Sequence, residues 1–200
     1  MGLRVGIFDH LGWAVAVTAS PGHDVVDRRR IELLGPGLPN APVHHPGRGL
    51  SVTDVEQLVA RVRASAVRTT SASLDELVAA LPGLVESVHL RALPAGFPTD
   101  MAVLLRAPYE ARADAVMYRE VLARAAEARG WQVRFYDAKA VEAAAGAVLG
   151  RHAGEVLHGP RERLGPPWTK DHRTALAATI LARRRRARGV SPARSSPSRR

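Results

Sequence analysis

The segment at residues 3–19, "LRVGIFDHLGWAVAVTA", decides the fold of this chain. Residues 3–8 and 13–19 are two apolar runs of strand length, and the polar stretch Asp9-His10-Leu11-Gly12 separates them. Because this break is so short, the pattern predicts two antiparallel strands joined by a turn.

The next segment, residues 24–34, predicts a third strand with more charge than the first two. Its sequence, "DVVDRRRIELL", carries charged residues through the middle, which is typical of a strand near the edge of a sheet. Three consecutive strands therefore precede the first helix.

Helical and extended patterns alternate through the rest of the chain. Thr53 with Glu56 and Ser73 with Glu76 each match a capping box, so a helix is predicted after each. The longest periodic segment, residues 108–130, begins with proline and ends with glycine, as helices often do. Further predicted elements are a loop at 35–50, strands at 84–93 and 131–137, a helix at 138–150, a loop up to Trp168 and a final helix at 171–186.

The order of these elements indicates the fold class. Three sequential antiparallel strands followed by alternating strands and helices predict an α/β protein with a mixed sheet and helices on both faces. The chain has 200 residues, 46% of them hydrophobic, so we expect one domain over residues 1–186. The chain has no cysteine, which excludes disulfides, thiolate zinc sites and cysteine nucleophiles.

Positive charge is concentrated at the C-terminus. The net charge is +10, and eight arginines without an acid at residues 183–200 leave only +2 for residues 1–182. We expect residues 187–200 to be disordered, because they offer almost no apolar surface to bury. Such a segment attaches electrostatically to nucleic acid, or it is the solubilising end of an arginine-rich chain.

The N-terminal segment does not look like a secretion signal. Arg4, Asp9 and His10 interrupt its apolar run. No uncharged apolar stretch is long enough to span a bilayer. We therefore expect a cytoplasmic protein without a membrane partner.

Two motifs resemble the ribonuclease H-like superfamily, which includes RuvC-type resolvases and related transposases. They are the hairpin "RVGIFDHLGWAVAV" and the sequence "KDHRTALAATI" at residues 170–180. In that superfamily the aspartate of the first strand binds catalytic metal, and an acid or a histidine opens the last helix. The matching positions here are Asp9, Asp171 and His172. The resemblance implies a protein that acts on nucleic acid.

The fourth predicted strand departs from the superfamily pattern. Nucleases of this kind usually carry another carboxylate there. In "VESVHLRAL", Glu86 stands near the start and His89 occupies the middle. The expected set of carboxylates is therefore incomplete on this strand.

The resemblance also implies a divalent cation as cofactor. Two Mg²⁺ or Mn²⁺ ions about 4 Å apart can activate water and stabilise the leaving oxygen of a phosphodiester. Asp9 and Asp171 are the expected metal ligands, with His172 as a ligand or proton carrier. A third acid is needed, and the catalytic candidate is Glu110. The sequence also offers Asp100, Asp114 and Glu86 for that role.

Each candidate also has a structural interpretation. Asp9 can open a turn, and Asp171 can cap the last helix. His172 can hydrogen-bond a neighbouring loop. Glu110 and Asp114, four residues apart near a helix start, are favoured by the helix dipole without any function.

Five residues are candidates for contact with nucleic acid. Arginines would hold phosphates, and a tyrosine would stack on a base. The candidates are Tyr109, Arg112, Arg119, Lys170 and Arg173. A network of glutamates and arginines that packs one helix onto its neighbours is the alternative for the helical ones. His44-His45 is a weak zinc signal, since no second ligand pair lies near it in sequence.

Two functions follow from these patterns. The first is a metal-dependent nuclease, that is, a phosphodiester hydrolase. The alternative is a catalytically inactive ribonuclease H-like protein that binds or scaffolds. A phosphotransferase of the related actin-like core ranks last, because the chain is too short for two such halves. The nuclease requires Asp9 and Asp171 to lie at the same end of the sheet.

Overall fold

A five-stranded mixed sheet forms the centre of the fold. The computed structural model describes residues 2–45 and 49–181. The strands are β1 (Leu3–Asp9), β2 (Trp13–Ala19), β3 (Val25–Glu32), β4 (Val85–Arg91) and β5 (Gln132–Tyr136). The helices are α1 (Val52–Ala79), α2 (Met101–Leu104), α3 (Glu110–Glu127), α4 (Val141–Leu149), α5 (Ala153–His158), α6 (Pro160–Leu164) and α7 (Lys170–Ile180), with a 3-10 turn at Gly150–His152.

The sheet has the strand order β3-β2-β1-β4-β5. β1, β2 and β3 form an antiparallel meander, while β4 runs parallel to β1 and β5 runs parallel to β4. The predicted mixed sheet and the edge position of β3 are confirmed. This order, with these directions, is that of a ribonuclease H-like fold.

The two faces of the sheet carry two apolar layers. Val5 and Ile7 of β1 face α1 and α3, together with Val88 and Leu90 of β4. Val15, Val17 and Tyr136 belong to the opposite layer, which is covered by α4 and α7. Because side chains alternate along a strand, successive residues of one strand face opposite layers, as Ile7 and Phe8 of β1 do.

α7 crosses β1 in direct backbone contact. A Cβ atom on Gly6 would lie 1.8 Å from the carbonyl oxygen of Ala175, so only glycine permits this approach. Arg4, at the start of β1, donates to the carbonyl of Thr179 near the end of α7. The helix therefore runs antiparallel to the strand, and its first turn reaches the end of β1.

Three predictions about helices are wrong. α1 is one continuous helix, and Ser51 is its N-cap, accepting from the Asp54 N–H at 3.2 Å. Ser73 lies inside that helix and donates to the Glu32 carbonyl at 2.8 Å, so neither capping box holds. The segment before Trp168, predicted as a loop, contains α5 and α6. These helices have 6 and 5 residues, too few to show a periodic pattern.

Some predictions fall at the end of the chain. The final helix begins one residue earlier than predicted and is described to Ile180. The predicted disordered segment, residues 187–200, lies outside the described residues. Within the described ranges, no helix combines the length and apolarity needed to cross a bilayer.

Candidate functional site

The ends of the three parallel strands bring the site together. β1 ends at Asp9, β4 at Arg91 and β5 at Tyr136. Arg91 and Tyr136 are paired in register, and the Tyr136 hydroxyl donates to the Ile7 carbonyl at 2.8 Å. Burial raises the pKa of Tyr136, so its hydroxyl remains a proton donor. Asp9 therefore lies at the same edge of the sheet as these two side chains.

Two arginines hold the Asp9 carboxylate. Arg91 donates from Nε to Oδ1 and from Nη2 to Oδ2, both at 2.7 Å, and also reaches the Asp9 carbonyl. Arg119, from α3, donates from Nε to Oδ2 at 2.9 Å. The Asp9 side chain is only 2% exposed. Both carboxylate oxygens are thus engaged in charge-assisted hydrogen bonds.

The charges within this cluster do not cancel. Burial opposes the charge of Arg91, but the hydrogen bonds and the negative charge of Asp9 raise its pKa overall. One carboxylate faces two guanidinium groups that cannot lose their protons near neutral pH. The cluster of Asp9, Arg91 and Arg119, called here the strand-end cluster, therefore keeps one surplus positive charge.

Asp171 lies at the same end of the sheet as Asp9. His10, the residue after Asp9, places Nε2 3.0 Å from the Asp171 Oδ2. The His10 ring stacks on Trp13, with centroids 4.0 Å apart and planes at 9°. The side chains of His10 and Asp171 are 34% and 28% exposed, so this contact faces solvent far more than the Asp9 pair does. Both aspartates also act electrostatically on Arg91.

Thr169, and not Asp171, is the N-cap of α7. His172 completes a capping box with Thr169, its Nδ1 lying 2.8 Å from Oγ1 and 3.3 Å from the Thr169 N–H. Burial, aided by the charge of Arg28 and opposed by Asp171, lowers the pKa of His172. His172 therefore serves the start of its own helix, whereas its structural interpretation from the sequence was a hydrogen bond to a neighbouring loop.

Arg28 fixes the chain that leads into α7. Its guanidinium donates to the carbonyls of Leu164, Gly165 and Pro167 at 2.6–2.8 Å. One side chain of the edge strand β3 thereby positions the loop before α7. Arg28 therefore helps to position the start of α7, where Asp171 and His172 lie.

Glu110 does not join the strand-end cluster. It opens α3, nine residues before Arg119. At 1.5 Å per residue these positions lie about 13 Å apart along the helix axis. Its Oε2 is buried and has no hydrogen-bond partner among the described residues.

The other acids considered for the third role are used elsewhere. Asp114 accepts from the N–H groups of Val43 and His44 at 3.0 and 3.1 Å, which ties the loop after β3 to α3. Burial raises the pKa of Asp114, although these two N–H groups act against the rise. Asp100 caps α2 by accepting from Ala102 at 2.8 Å.

Glu86 lies at the wrong end of the sheet. It follows Val85, which pairs with Leu3 at the start of the parallel strand β1. The opposite end of the same strand carries Arg91. An arginine therefore stands at the end of β4, on the strand where the superfamily resemblance implies a carboxylate.

These residues do not fit the divalent metal that the superfamily resemblance implies. Asp9 gives its oxygens to two guanidinium groups, and Asp171 gives Oδ2 to His10. Among the described residues, no group of three or more His, Asp or Glu side chains is arranged to hold a metal. The rings of His44 and His45 pack edge to face with their centroids 4.7 Å apart, and these two residues belong to no such group either.

The predicted nucleic-acid contacts on α3 lie in different surroundings. Arg119 belongs to the strand-end cluster and also donates to the Ala92 carbonyl at 3.2 Å. Tyr109 and Arg112 both lie against Phe97, with Tyr109 edge-on at 5.7 Å and the Arg112 guanidinium 5.9 Å from the ring. Arg112 is exposed, so it is the α3 candidate whose charge is open to solvent.

The two candidates on α7 also differ. Lys170 is exposed at the first position of the helix. Arg173 lies 3.6 Å from the Glu142 carboxylate of α4, which fits the structural alternative of an acid–arginine network. The structure thus leaves Lys170 open and pairs Arg173 internally.

Sequence reasoning missed His10 and Arg91. The sequence predicts His10 only as part of a turn, although the motif shows an imidazole directly after Asp9. Arg91 was visible as the charged residue that closes the apolar run of β4. The strand has no carboxylate at its end, and this departure from the superfamily pattern could have drawn attention to Arg91.

Comparisons with known proteins return solved structures only. No family model matches the chain, and no curated protein matches it. A structure of Thermus thermophilus RuvC in complex with a Holliday junction substrate is 14% identical, covering 90% of this chain and 91% of that one, with a TM-score of 0.48. Another Thermus thermophilus RuvC structure is 14% identical, covering 89% and 90%, with a TM-score of 0.45.

Proposed function

We propose that this protein binds nucleic acid through its ribonuclease H-like domain and that it needs no divalent metal at the end of β1. The observation that carries the proposal is the pairing of Asp9 with Arg91 and Arg119. Guanidinium groups occupy the oxygens that a metal would require. The proposal is thus the binding alternative from the sequence, and not the nuclease.

Charge supports nucleic acid as the partner. The strand-end cluster has two guanidinium groups for one carboxylate, with Asp171 nearby, and the chain as a whole carries +10. Eight arginines at residues 183–200 supply most of this charge. Each arginine that meets a phosphate releases counterions from the polyanion, so binding of this kind weakens steeply with salt.

Fluorescence anisotropy of labelled strands tests the proposal on the full chain. Single-stranded DNA, duplex DNA, RNA and a four-way DNA junction are titrated in EDTA over a series of salt concentrations. We expect binding without metal and a linear fall of the logarithm of the affinity with the logarithm of salt concentration. Absence of binding to all four probes at about 50 mM salt, where electrostatic binding is strong, would contradict the proposal.

Replacing four of the arginines at residues 183–200 separates the contribution of this segment to binding from that of the domain. Changing Arg183, Arg184, Arg185 and Arg186 to glutamine should reduce the salt slope on duplex DNA, by up to about 0.9 for each phosphate that is no longer neutralised. Changing the exposed Arg61, Arg68, Arg112 and Arg124 to glutamine removes the same charge from α1 and α3. Equal slopes for these two variants would assign no special role to the C-terminal arginines.

The metal-dependent nuclease is the second candidate. One observation favours it: Asp9 and Asp171 lie at the same end of the sheet, where His10 joins the end of β1 to α7. This candidate requires Arg91 and Arg119 to leave the Asp9 carboxylate. Incubation of the same probes with Mg²⁺ or Mn²⁺ tests it. Metal-dependent cleavage by the wild type that is lost in an Asp9→Asn protein shown to be folded by circular dichroism would establish the nuclease and overturn the proposal above.

A further inference from the structure

A pocket separate from the strand-end cluster opens between the edge strand β5 and the helices α4 and α7. Its volume is about 310 Å³, and its lining includes His89, Arg134, Tyr136, Val141 and Ala144. Small-molecule sites in proteins occupy roughly 300–1,000 Å³, so this pocket has room for one small ligand group. The proposed function rests on Asp9, Arg91 and Arg119, and none of these three residues lines the pocket.

The polar groups of the pocket are placed for hydrogen bonding. His89 is only 3% exposed, and its Nε2 lies 3.1 Å from the Ser87 hydroxyl. Burial, followed by the charges of Arg134 and Arg4, lowers the pKa of His89 to about 3. Its ring is therefore neutral at physiological pH, and Nδ1 is the nitrogen that is not engaged with Ser87.

Arg134 has unused hydrogen-bonding capacity. Its Nη2 donates to the Gln132 side chain at 2.9 Å, but its Nε is buried without a hydrogen-bond partner among the described residues. Because Nε is enclosed, a ligand acceptor in the pocket would be met by the other guanidinium N–H groups, of which Nη2 already donates to Gln132. Within the described ranges, no carboxylate forms an ion pair with Arg134 or Arg4.

The remaining wall of the pocket is apolar. Val141, Ala144 and Ala178 supply small side chains, and Phe135 is 49% exposed beside them. A flat aromatic group can lie against such a wall, because the faces of a nucleic-acid base are themselves apolar and gain from burial. Asp137 also lines the pocket, and its Oδ1 accepts from the Lys139 N–H at 2.9 Å.

The chain that leaves the pocket adds positive charge. Leu181 lines the pocket, and residues 183–186 are four consecutive arginines. Positive charge therefore follows the pocket directly in sequence.

We propose that this pocket receives one unpaired nucleotide of a bound single strand. The base lies against Val141 and Ala144 with an edge toward His89, and the phosphate accepts from Arg134. This inference rests on the proposed binding of nucleic acid and specifies single strands as its preferred form. A base paired within a duplex cannot enter, because its hydrogen-bonding edge and both its faces are already occupied.

Two substitutions on one helix test the pocket. Ala144→Phe fills it, whereas Ala143→Phe places the same ring one residue away on the exposed side of α4. With single-stranded DNA of about 15 nucleotides as probe, a length within the range that one single-strand-binding domain covers, we expect Ala144→Phe to weaken binding at least about five-fold and Ala143→Phe less than about two-fold. Affinity for a duplex of the same length should stay nearly constant in both variants. Circular dichroism and thermal unfolding confirm that both fold.

Arg134→Gln provides a second test with less change in shape. We expect it to weaken single-strand binding more than Arg124→Gln, which removes an exposed arginine on α3. If the wild type binds single strands but Ala144→Phe and Ala143→Phe weaken that binding equally, the proposed role of the pocket is wrong while the proposed function remains in place. A wild type that binds none of the probes would overturn the proposed function itself.

Discussion

Two aspartates at the same end of the sheet have opposite surroundings. Asp9 is 2% exposed and is held by two arginines, whereas the Asp171 side chain is 28% exposed and contacts one histidine. The arginines keep their charge at any pH at which the protein is folded, but His10 is charged only when protonated. Asp9 is therefore bound into the structure, and Asp171 remains close to solvent.

This contrast indicates how the same carboxylate group takes two different roles at one end of the sheet. The end of β1 still presents a carboxylate, as the resemblance implied. Arg91 from β4 and Arg119 from α3 neutralise it and leave a positive surplus. A carboxylate in such a cluster contributes to stability and to the charge of the site.

The largest expected effect is the loss of the buried pair. Asp9→Asn removes a buried carboxylate and leaves two partly buried guanidinium groups without a counter-charge, which should lower the free energy of unfolding by about 3–5 kcal/mol. Equilibrium unfolding in guanidinium chloride measures this loss of stability. Asp75→Asn is the matched control, because Asp75 pairs with Arg129 at 2.6 Å but is 68% exposed, and it should cost less than about 1 kcal/mol. Equal losses in the two variants would contradict the account.

The relative position of the two aspartates depends on the contact between β1 and α7. Gly6→Ala forces the helix away from the strand, because the new Cβ would meet the Ala175 carbonyl. We expect a loss of about 1–3 kcal/mol in thermal or denaturant unfolding. Gly146→Ala, in α4 with no atom within 4 Å of the added Cβ, should not destabilise the protein. A stable Gly6→Ala protein would show that the close approach is not required.

The buried His89 makes the stability of the protein depend on pH. The folded pKa is about 3 and the ordinary value is 6.5, so below 6.5 the unfolded chain takes up a proton that the folded chain does not. Stability from this source is complete above about pH 6.5 and falls with decreasing pH, by at most about 1.4 kcal/mol per pH unit. His89→Gln should therefore flatten the loss of stability between about pH 6.5 and 4. The exposed His158→Gln should leave the profile unchanged, and identical profiles for the two variants would contradict the prediction.

The smallest expected effect is that of changing Asp171, the more exposed of the two aspartates. Asp171→Asn removes the contact with His10 and a negative charge in the first turn of α7, and should cost about 0.2–1 kcal/mol. Differential scanning calorimetry beside Asp9→Asn measures the difference. A loss as large as that of Asp9→Asn would mean that the two aspartates are equally embedded.

Much of the fold could be predicted from the sequence. The five strands were expected within two residues of their observed ends, because short apolar runs bounded by turn residues stand out. Gly6 could be seen in the hairpin motif, but its reason, the approach of α7, depends on a contact with Ala175 far along the chain. The continuous α1 was missed because Ser73 looks like a cap and instead bonds to Glu32 across the fold.

Less of the site could be predicted. The nuclease hypothesis required Asp9 and Asp171 to lie at one end of the sheet, and the contact of His10 with Asp171 has them there. The sequence did not show that Arg119, 110 residues after Asp9, would reach the same carboxylate. Nor did it show that Arg28 would hold the loop before α7 through backbone carbonyls. Long-range contacts of arginine leave no periodic signal in a chain with 27 of them.

Titration of the wild-type protein with Mn²⁺ and Mg²⁺ after dialysis against EDTA tests the central claim most directly. If Arg91 and Arg119 hold Asp9 in place of a metal, the unfolding temperature should not rise with metal concentration up to the millimolar range. A rise that depends on metal concentration, and that disappears in Asp9→Asn, would show that the carboxylate binds metal after all.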